Sequence, residues 1–141
     1  MNRLDDFLAV YQQLTADNLD LLDTVYSRDI EFCDPAHVIH GLDALRSYFG
    51  ELYRNADSVG FSFIRRHLVD DEAYLSWRMS FRHPKLARGR TIEVDGMSYL
   101  QFDEADKVRY HRDYFDLGAM LYEHLPLLGS LVKTIKRRLG T

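Results

Sequence analysis

A chain of 141 residues, 46% hydrophobic and 28% charged, is long enough for one domain with its own core and too apolar to be disordered. One cysteine, Cys33, excludes an internal disulfide and a multi-cysteine metal site. The net charge is −4, yet Lys133, Lys136, Arg137 and Arg138 are the only charges after residue 126, so the rest carries −8; that acidic body argues against general nucleic-acid binding.

The opening stretch, MNRLDDFLAVYQQL, has acids early and no long apolar run, unlike a secretory signal. No segment approaches the roughly 18 apolar residues of a membrane span, so a cytoplasmic protein is expected. Leu4, Phe7, Leu8 and Tyr11 repeat with helical spacing and predict a helix over 3–14 with Tyr11 facing inward. Asp17 or Asn18 caps a second helix over 19–26, whose buried side is Leu21, Leu22 and Val25. A short strand over 30–34 puts Ile30, Phe32 and Asp34 on one face and is stopped by Pro35, which has no N–H to donate. Two readings of Asp34 stay open: a pocket carboxylate, or the acceptor of an Asx-type turn around Pro35.

Leu42, Leu45, Tyr48, Phe49 and Leu52 stripe a third helix over 41–55. His37 and His40 lie in the loop before it, and two histidines without a nearby ligand cluster do not make a metal site. No metal and no cofactor are expected. Three long strands follow. The strand over 59–69 has Phe61 and Phe63 on one face. The strand over 72–83 sets Ala73, Leu75, Trp77, Met79 and Phe81 against Tyr74, Ser76, Arg78, Ser80 and Arg82, as an antiparallel sheet with one wet face allows. The strand over 91–102 turns Ile92, Val94, Gly96, Ser98, Leu100 and Phe102 inward, and Gly96 in mid-strand predicts a bulge or bend.

After a turn at 103–106, the strand KVRYHRDYFD over 107–116 places His111, Asp113 and Phe115 on one face and Val108, Tyr110, Arg112 and Tyr114 on the other. His111 and Asp113 are then roughly 7 Å apart at Cα. That is close enough for an acid/base pair in a pocket, and equally for a structural hydrogen bond. A helix over 117–125 ends at Pro126. A last one over 127–139 sets Leu128, Leu131, Val132, Ile135 and Leu139 against a basic face. Such a helix can touch a membrane or an anionic partner; packing on the body or on a dimer mate is the expected use.

Helix, helix, strand, helix and then four antiparallel strands predict an α+β fold in which a curved antiparallel sheet wraps around helices and leaves a pocket at its open end. Residues 1–126 form that domain and 127–141 an additional C-terminal helix. Periodicity alone turns Tyr11, Phe32, Asp34, Trp77, Met79, Ser98, His111 and Asp113 inward. A few polar groups against aromatic and thioether walls suit a small hydrophobic molecule carrying a carbonyl or hydroxyl. The competing picture is a filled core in which His111 and Tyr11 satisfy Asp34 and Asp113.

The stretches DNLDLLDTVYSRDIEFCDP, GLDALRSYF, SYLQFD and KVRYHRDYFDL resemble the nuclear-transport-factor-2-like superfamily, the cystatin-like cone, over nearly the whole chain. The resemblance implies the cone and its pocket and leaves the activity open, because that cone hosts isomerases, dehydratases, epoxide hydrolases, polyketide cyclases and non-enzymatic binders. Similarity to ketosteroid isomerase implies that Tyr11 donates to a developing oxyanion and Asp34 moves the proton. The second oxyanion donor of that enzyme falls at Ser98. The WRDYFD strand of limonene-epoxide hydrolase is similar to the strand here, and Asp113 matches one of its catalytic carboxylates. Its catalytic Arg and second Asp fall at Trp77 and Met79 and its water-activating Asn at Asp34, so that three-residue mechanism is not expected. The SnoaL-like polyketide-cyclase branch uses a pocket His and Asp, which His111 and Asp113 resemble in type.

The expectation is a cofactor-independent isomerase, cyclase or dehydratase, with Asp34, Asp113, His111 and Tyr11 as catalytic groups and Phe32, Trp77, Met79, Ser98 and Phe115 against the substrate. The alternative is a non-catalytic ligand-binding or dimeric assembly module. In either case Tyr74, Arg78, Arg82, Tyr110, Arg112 and Tyr114 on the outer sheet face suit a homodimer contact, since Tyr and Arg are enriched at interfaces.

Overall fold

Asn2 starts the first helix: its side chain accepts from the Asp5 N–H at 2.9 Å while its own N–H donates to the Asp5 carboxylate at 3.1 Å, a reciprocal cap. The computed structural model describes residues 2–120 and 126–140. Helix α1 (Arg3–Gln13) buries Leu4, Phe7, Leu8, Val10 and Tyr11, the expected stripe. The expected second helix is one short 3-10 segment, Leu19–Thr24, and Tyr26 belongs instead to strand β1 (Tyr26–Cys33). The reason is tertiary: Val25 C=O accepts from Val108 N–H at 2.7 Å, and Tyr26 pairs with Val108 across a parallel ladder.

Strand β2 (Val38–His40) was expected as loop. It pairs antiparallel with β1, Phe32 opposite Ile39, through a turn in which Asp34 N–H donates to His37 C=O at 2.9 Å. Gly41 follows at φ 92°, a left-handed position that suits glycine, and redirects the chain into α2 (Leu42–Asn55). Strands β3 (Ser58–Val69), β4 (Glu72–Arg82), β5 (Ile92–Phe102) and β6 (Val108–Phe115) form an antiparallel meander. The six strands lie in the order β2-β1-β6-β5-β4-β3, and β1–β6 is the parallel pair. This is the expected α+β cone: a curved, unclosed sheet with helices against its concave side. Leu75, Trp77, Met79, Phe81, Ile92, Val94 and Leu100 are buried there, with α1 and α2 in the same core.

Of the bulge or bend expected at Gly96, the bulge is absent. Gly96 pairs in register with Trp77, and the ladder irregularities fall between Tyr26 and Glu31, Phe63 and Arg65, and Gln101 and Phe102. The glycine makes room for the indole, since a Cβ there would lie 2.3 Å from Trp77 Cη2.

Helix α3 covers Leu117–Met120, and the remainder of the helix expected over 117–125 lies outside the described residues. Helix α4 runs Pro126–Leu139, one residue earlier than expected. Proline opens it, because the first helical position needs no N–H donor. Leu131, Ile135 and Leu139 of its apolar stripe are exposed, while the Leu128 and Val132 side chains lie outside the described residues. The Lys136 ammonium pairs with the Asp116 carboxylate. Among the described residues no helix is long and apolar enough to cross a membrane.

Candidate functional site: an apolar cavity and the hydrogen-bonded chain behind it

The concave side of the sheet and helices α1 and α2 enclose a cavity of about 240 Å³, at the lower end of small-molecule pockets. Tyr11 comes to it from α1, Phe32 and Asp34 from β1 and the turn after it, and Trp77, Met79 and Phe81 from β4. Asp113 and Phe115 come from β6, and Tyr48, Phe49 and Leu52 from α2. Seven of the nine residues expected at the site therefore line one cavity. His111 and Ser98 stand one layer behind it, bonded to Asp113.

Both readings of Asp34 hold at once. The carboxylate is 6% exposed and closes an Asx-type turn. Oδ1 accepts from the backbone N–H of Ala36 and of His37 at 2.8 Å each, and meets His37 Nδ1 at 3.2 Å. Its Oδ2 accepts from the Tyr48 hydroxyl at 2.7 Å, inside the cavity wall. Burial first, and then the Asp34 hydrogen bond, push the Tyr48 phenol well above its ordinary range, so it stays a donor. Tyr48 was legible only as a core position on the α2 stripe; nothing in the sequence paired it with Asp34.

Strand β6 carries the second carboxylate. His111, 2% exposed, sits among Phe7, Phe32 and Tyr26, with the Phe32 ring 4.8 Å away. Its Nε2 lies 2.6 Å from Asp113 Oδ1, so the two residues bond directly. The Ser98 hydroxyl donates to the same oxygen and accepts from Trp77 Nε1 at 2.8 Å. An indole N–H only donates, which fixes the direction of that pair. Among the described residues both bonds to Asp113 use Oδ1.

On its other side His111 Nδ1 lies 2.7 Å from the Tyr26 hydroxyl, which lies 2.6 Å from the Tyr11 hydroxyl. Sequence reading missed Tyr26, because the helix expected over 19–26 gave it no place in a sheet. Burial raises both phenols far above their ordinary range, and the Asp113 carboxylate adds to it for each. Both therefore remain hydroxyls near neutral pH. His40 Nδ1 sits 3.5 Å from Glu31, away from the cavity, and among the described residues no three His, Cys, Asp or Glu side chains gather to hold a metal ion.

What the wall offers chemically is two carboxylates and two phenols in an apolar lining: Asp34 bonded to Tyr48 within the wall, and Asp113 and Tyr11 each bonded to a buried partner behind it. Carboxylates so held can accept a proton in a fixed direction, and phenols can hydrogen-bond an oxygen.

Known proteins of the same shape are numerous. A protein from Catenulispora acidiphila with a ketosteroid isomerase-like fold, solved in complex with trimethylamine, superposes with a TM-score of 0.74 at 15% identity, covering 86% of this chain and 93% of that one. An NTF2-like protein of unknown function from Burkholderia pseudomallei gives 0.74 at 12%, covering 86% and 95%. TerC, co-crystallised with polyporic acid, gives 0.71 at 13%, covering 84% and 94%. At such identities these are likenesses of fold. No curated protein matches the sequence. The sequence model of the SnoaL-like domain matches residues 7–111, from α1 to the central histidine of β6, and the chain belongs to that family.

Proposed function

We propose that the cavity binds a small hydrophobic carbonyl or hydroxyl compound and that the protein moves a proton on it without a cofactor, as an isomerase, cyclase or dehydratase. The observation that carries this reading is Asp113: a carboxylate lining an apolar wall, held through Oδ1 by both His111 and Ser98. Asp113 serves as the base, His111 orients it, and Tyr11 meets the ligand oxygen. Asp34 is better occupied, with four hydrogen-bonding partners, and acts by placing Tyr48 and the turn. Trp77, Met79, Phe32 and Phe115 supply apolar contact. Membership of the SnoaL-like family and the small molecules bound by two proteins of the same fold support a ligand in the cone.

The test is hydrogen–deuterium exchange next to the carbonyl of tetralone, a bicyclic ketone of suitable size, in deuterated buffer. Protein-dependent exchange is expected, and Asp113→Asn should lower it by about 10²-fold or more. Exchange that Asp113→Asn leaves untouched would sink the assignment of the base.

We also propose a homodimer through the outer sheet face. Tyr74, Met97 and Tyr114 stand exposed there on adjacent strands, with Arg112 over the Tyr114 ring at 5.1 Å. Helix α4 contributes its exposed Leu131 and Ile135 to the same association.

A further inference from the structure

We propose that Tyr26 and His111 form a proton-coupled link behind the cavity wall, through which the charge on His111 decides whether Tyr11 offers the cavity a donor or an acceptor. The ligand in this statement rests on the proposed function; the link itself does not.

Tyr11 and Asp113 line the cavity, whereas Tyr26 and His111 do not. Yet the four are contiguous: 2.6 Å from Tyr11 Oη to Tyr26 Oη, 2.7 Å on to His111 Nδ1, and 2.6 Å from His111 Nε2 to Asp113 Oδ1. A phenol owns one proton, and an imidazole nitrogen either donates or accepts. An ionised Asp113 accepts, which puts a proton on Nε2.

With His111 neutral, Nδ1 must accept, so Tyr26 donates to it and Tyr11 must donate to Tyr26. The only Tyr11 proton is then spent inward, and the cavity meets a lone pair. One added proton reverses the whole chain. Nδ1–H donates to Tyr26, Tyr26 donates to Tyr11, and the Tyr11 hydroxyl is free to donate to a ligand. All three bonds persist in both states, so no heavy atom need move.

The titratable groups facing His111 are Tyr11 from α1, Tyr26 from β1 and Asp113 from β6. Phe7, Phe32 and Leu100, its β5 partner, also stand against it. Tyr53 of α2 acts on both phenols from farther away, and Asp34 lies along the cavity wall. Because burial keeps both phenols protonated, the proton that reverses the chain is the one on His111.

The consequence is specificity by charge state. A ketone, which only accepts, suits the protonated form, and an alcohol that donates suits the neutral one. In turnover on a ketone, Asp113 takes the proton from carbon and Tyr11 gives its proton to the carbonyl oxygen. Tyr26 refills Tyr11 and His111 Nδ1 refills Tyr26. The ligand leaves this step as a neutral enol, with Asp113 protonated and His111 neutral. Return of the Asp113 proton to another carbon, with reversal of the chain, restores every group.

The experiment is nitrogen NMR of histidine-labelled protein with carbon labels on the tyrosine rings, using acetylnaphthalene as acceptor-only probe and naphthol as hydroxyl probe. In the free protein the Tyr11 Cζ signal should move at the same pH at which His111 Nδ1 gains its proton. Acetylnaphthalene should bind about tenfold tighter below that pH than above it, the equivalent of one good hydrogen bond, and naphthol should show the smaller or opposite trend. In Tyr26→Phe the Tyr11 signal and the acetylnaphthalene affinity should no longer follow His111. Should Tyr26→Phe not fold, fluorotyrosine at Tyr26, a stronger donor, must lower the pH at which both signals move.

The link is overturned if the Tyr11 and His111 signals move independently in the wild type or remain coupled in Tyr26→Phe. It is overturned as well if His111 Nδ1 keeps one protonation state from about pH 5 to about pH 9. If neither probe enters the cavity, the proposed function fails, and the link is still decided by the two signals of the free protein.

Discussion

The indole of Trp77 lies against Gly96, its in-register partner on β5, so closely that a Cβ at residue 96 would stand 2.3 Å from one ring carbon and 2.4 Å from another. The ring is also tied through Nε1 to Ser98, which bonds Asp113. One missing methyl group thus sets the depth at which the indole closes the cavity beside the proposed base. Gly96→Ala should lower the unfolding free energy by about 1–3 kcal/mol, the usual cost of an overpacked interior site. Denaturant unfolding followed by circular dichroism measures it. Trp77 is the chain's only tryptophan, so the same variant should shift the fluorescence spectrum of the native protein. Unchanged stability and an unchanged spectrum would show that the ring does not depend on the gap.

Asp34 should matter more to stability than its position at a turn implies. Asp34→Ala removes the side-chain acceptor of the exposed Ala36 and His37 N–H groups and of the part-buried Tyr48 hydroxyl, and the hydroxyl left unpaired in the cavity wall is the costly part, about 1–3 kcal/mol. Asp34→Asn keeps one acceptor oxygen and should lose less. Parallel urea titrations of the two variants check the order; equal losses would mean that the negative charge, not the acceptor, holds the turn.

Alkaline pH should destabilise the fold through its buried tyrosines. Tyr11 and Tyr26 have phenols raised well above the usual value, and Tyr48 and Tyr53 are raised as well, all with burial as the leading cause. The unfolded chain releases these protons near pH 10 while the native state keeps them. Their contribution is thus complete below about pH 10 and falls as pH rises toward the native values. Each tyrosine so held takes away about 1.4 kcal/mol per pH unit in that window. Stability measured at stepped alkaline pH should fall less steeply in Tyr11→Phe than in the wild type, and the tyrosinate absorbance that this variant lacks should belong to the rise that accompanies unfolding.

The sequence carried the parts of the site that lie on regular strands. Strand β4 alternates without a break, so Trp77 and Met79 were legible as wall residues, and the His111-Asp113-Phe115 face of β6 followed from the same period. Strand β1 hid Tyr26 because its alternation fails: Tyr26 and Ser27 are both buried, Arg28 and Asp29 both exposed, where the β6 ladder slips. Strand β2 is three residues long, too short for any periodicity to register. Inward parity also does not give depth. Asp113 reaches the cavity while His111, on the same face two residues earlier, is sealed behind it by Phe7 and Phe32. That difference comes from the helix laid over the sheet, which no single-strand pattern records.

Exposure in the protomer gives the dimer proposal its sharpest check. Tyr114 and Met97 are each 53% exposed and face each other across β5 and β6, so changing them removes little from the protomer's own core. A standard interface needs roughly 800 Å² per partner with a buried aromatic centre, and this pair lies with Tyr74 and the exposed Ile64 in one apolar surface depression. Met97→Glu combined with Tyr114→Glu places two buried like charges against their symmetry copies if the face is shared, a cost of several kcal/mol. The double variant should therefore run as a monomer in light scattering at concentrations where the wild type is a dimer, while its protomer keeps its circular dichroism and its cavity. A double variant that stays dimeric would move the contact elsewhere, with α4 and its exposed Leu131 and Ile135 next to be changed. A variant that loses its fold along with its partner would show instead that the outer face supports the sheet itself.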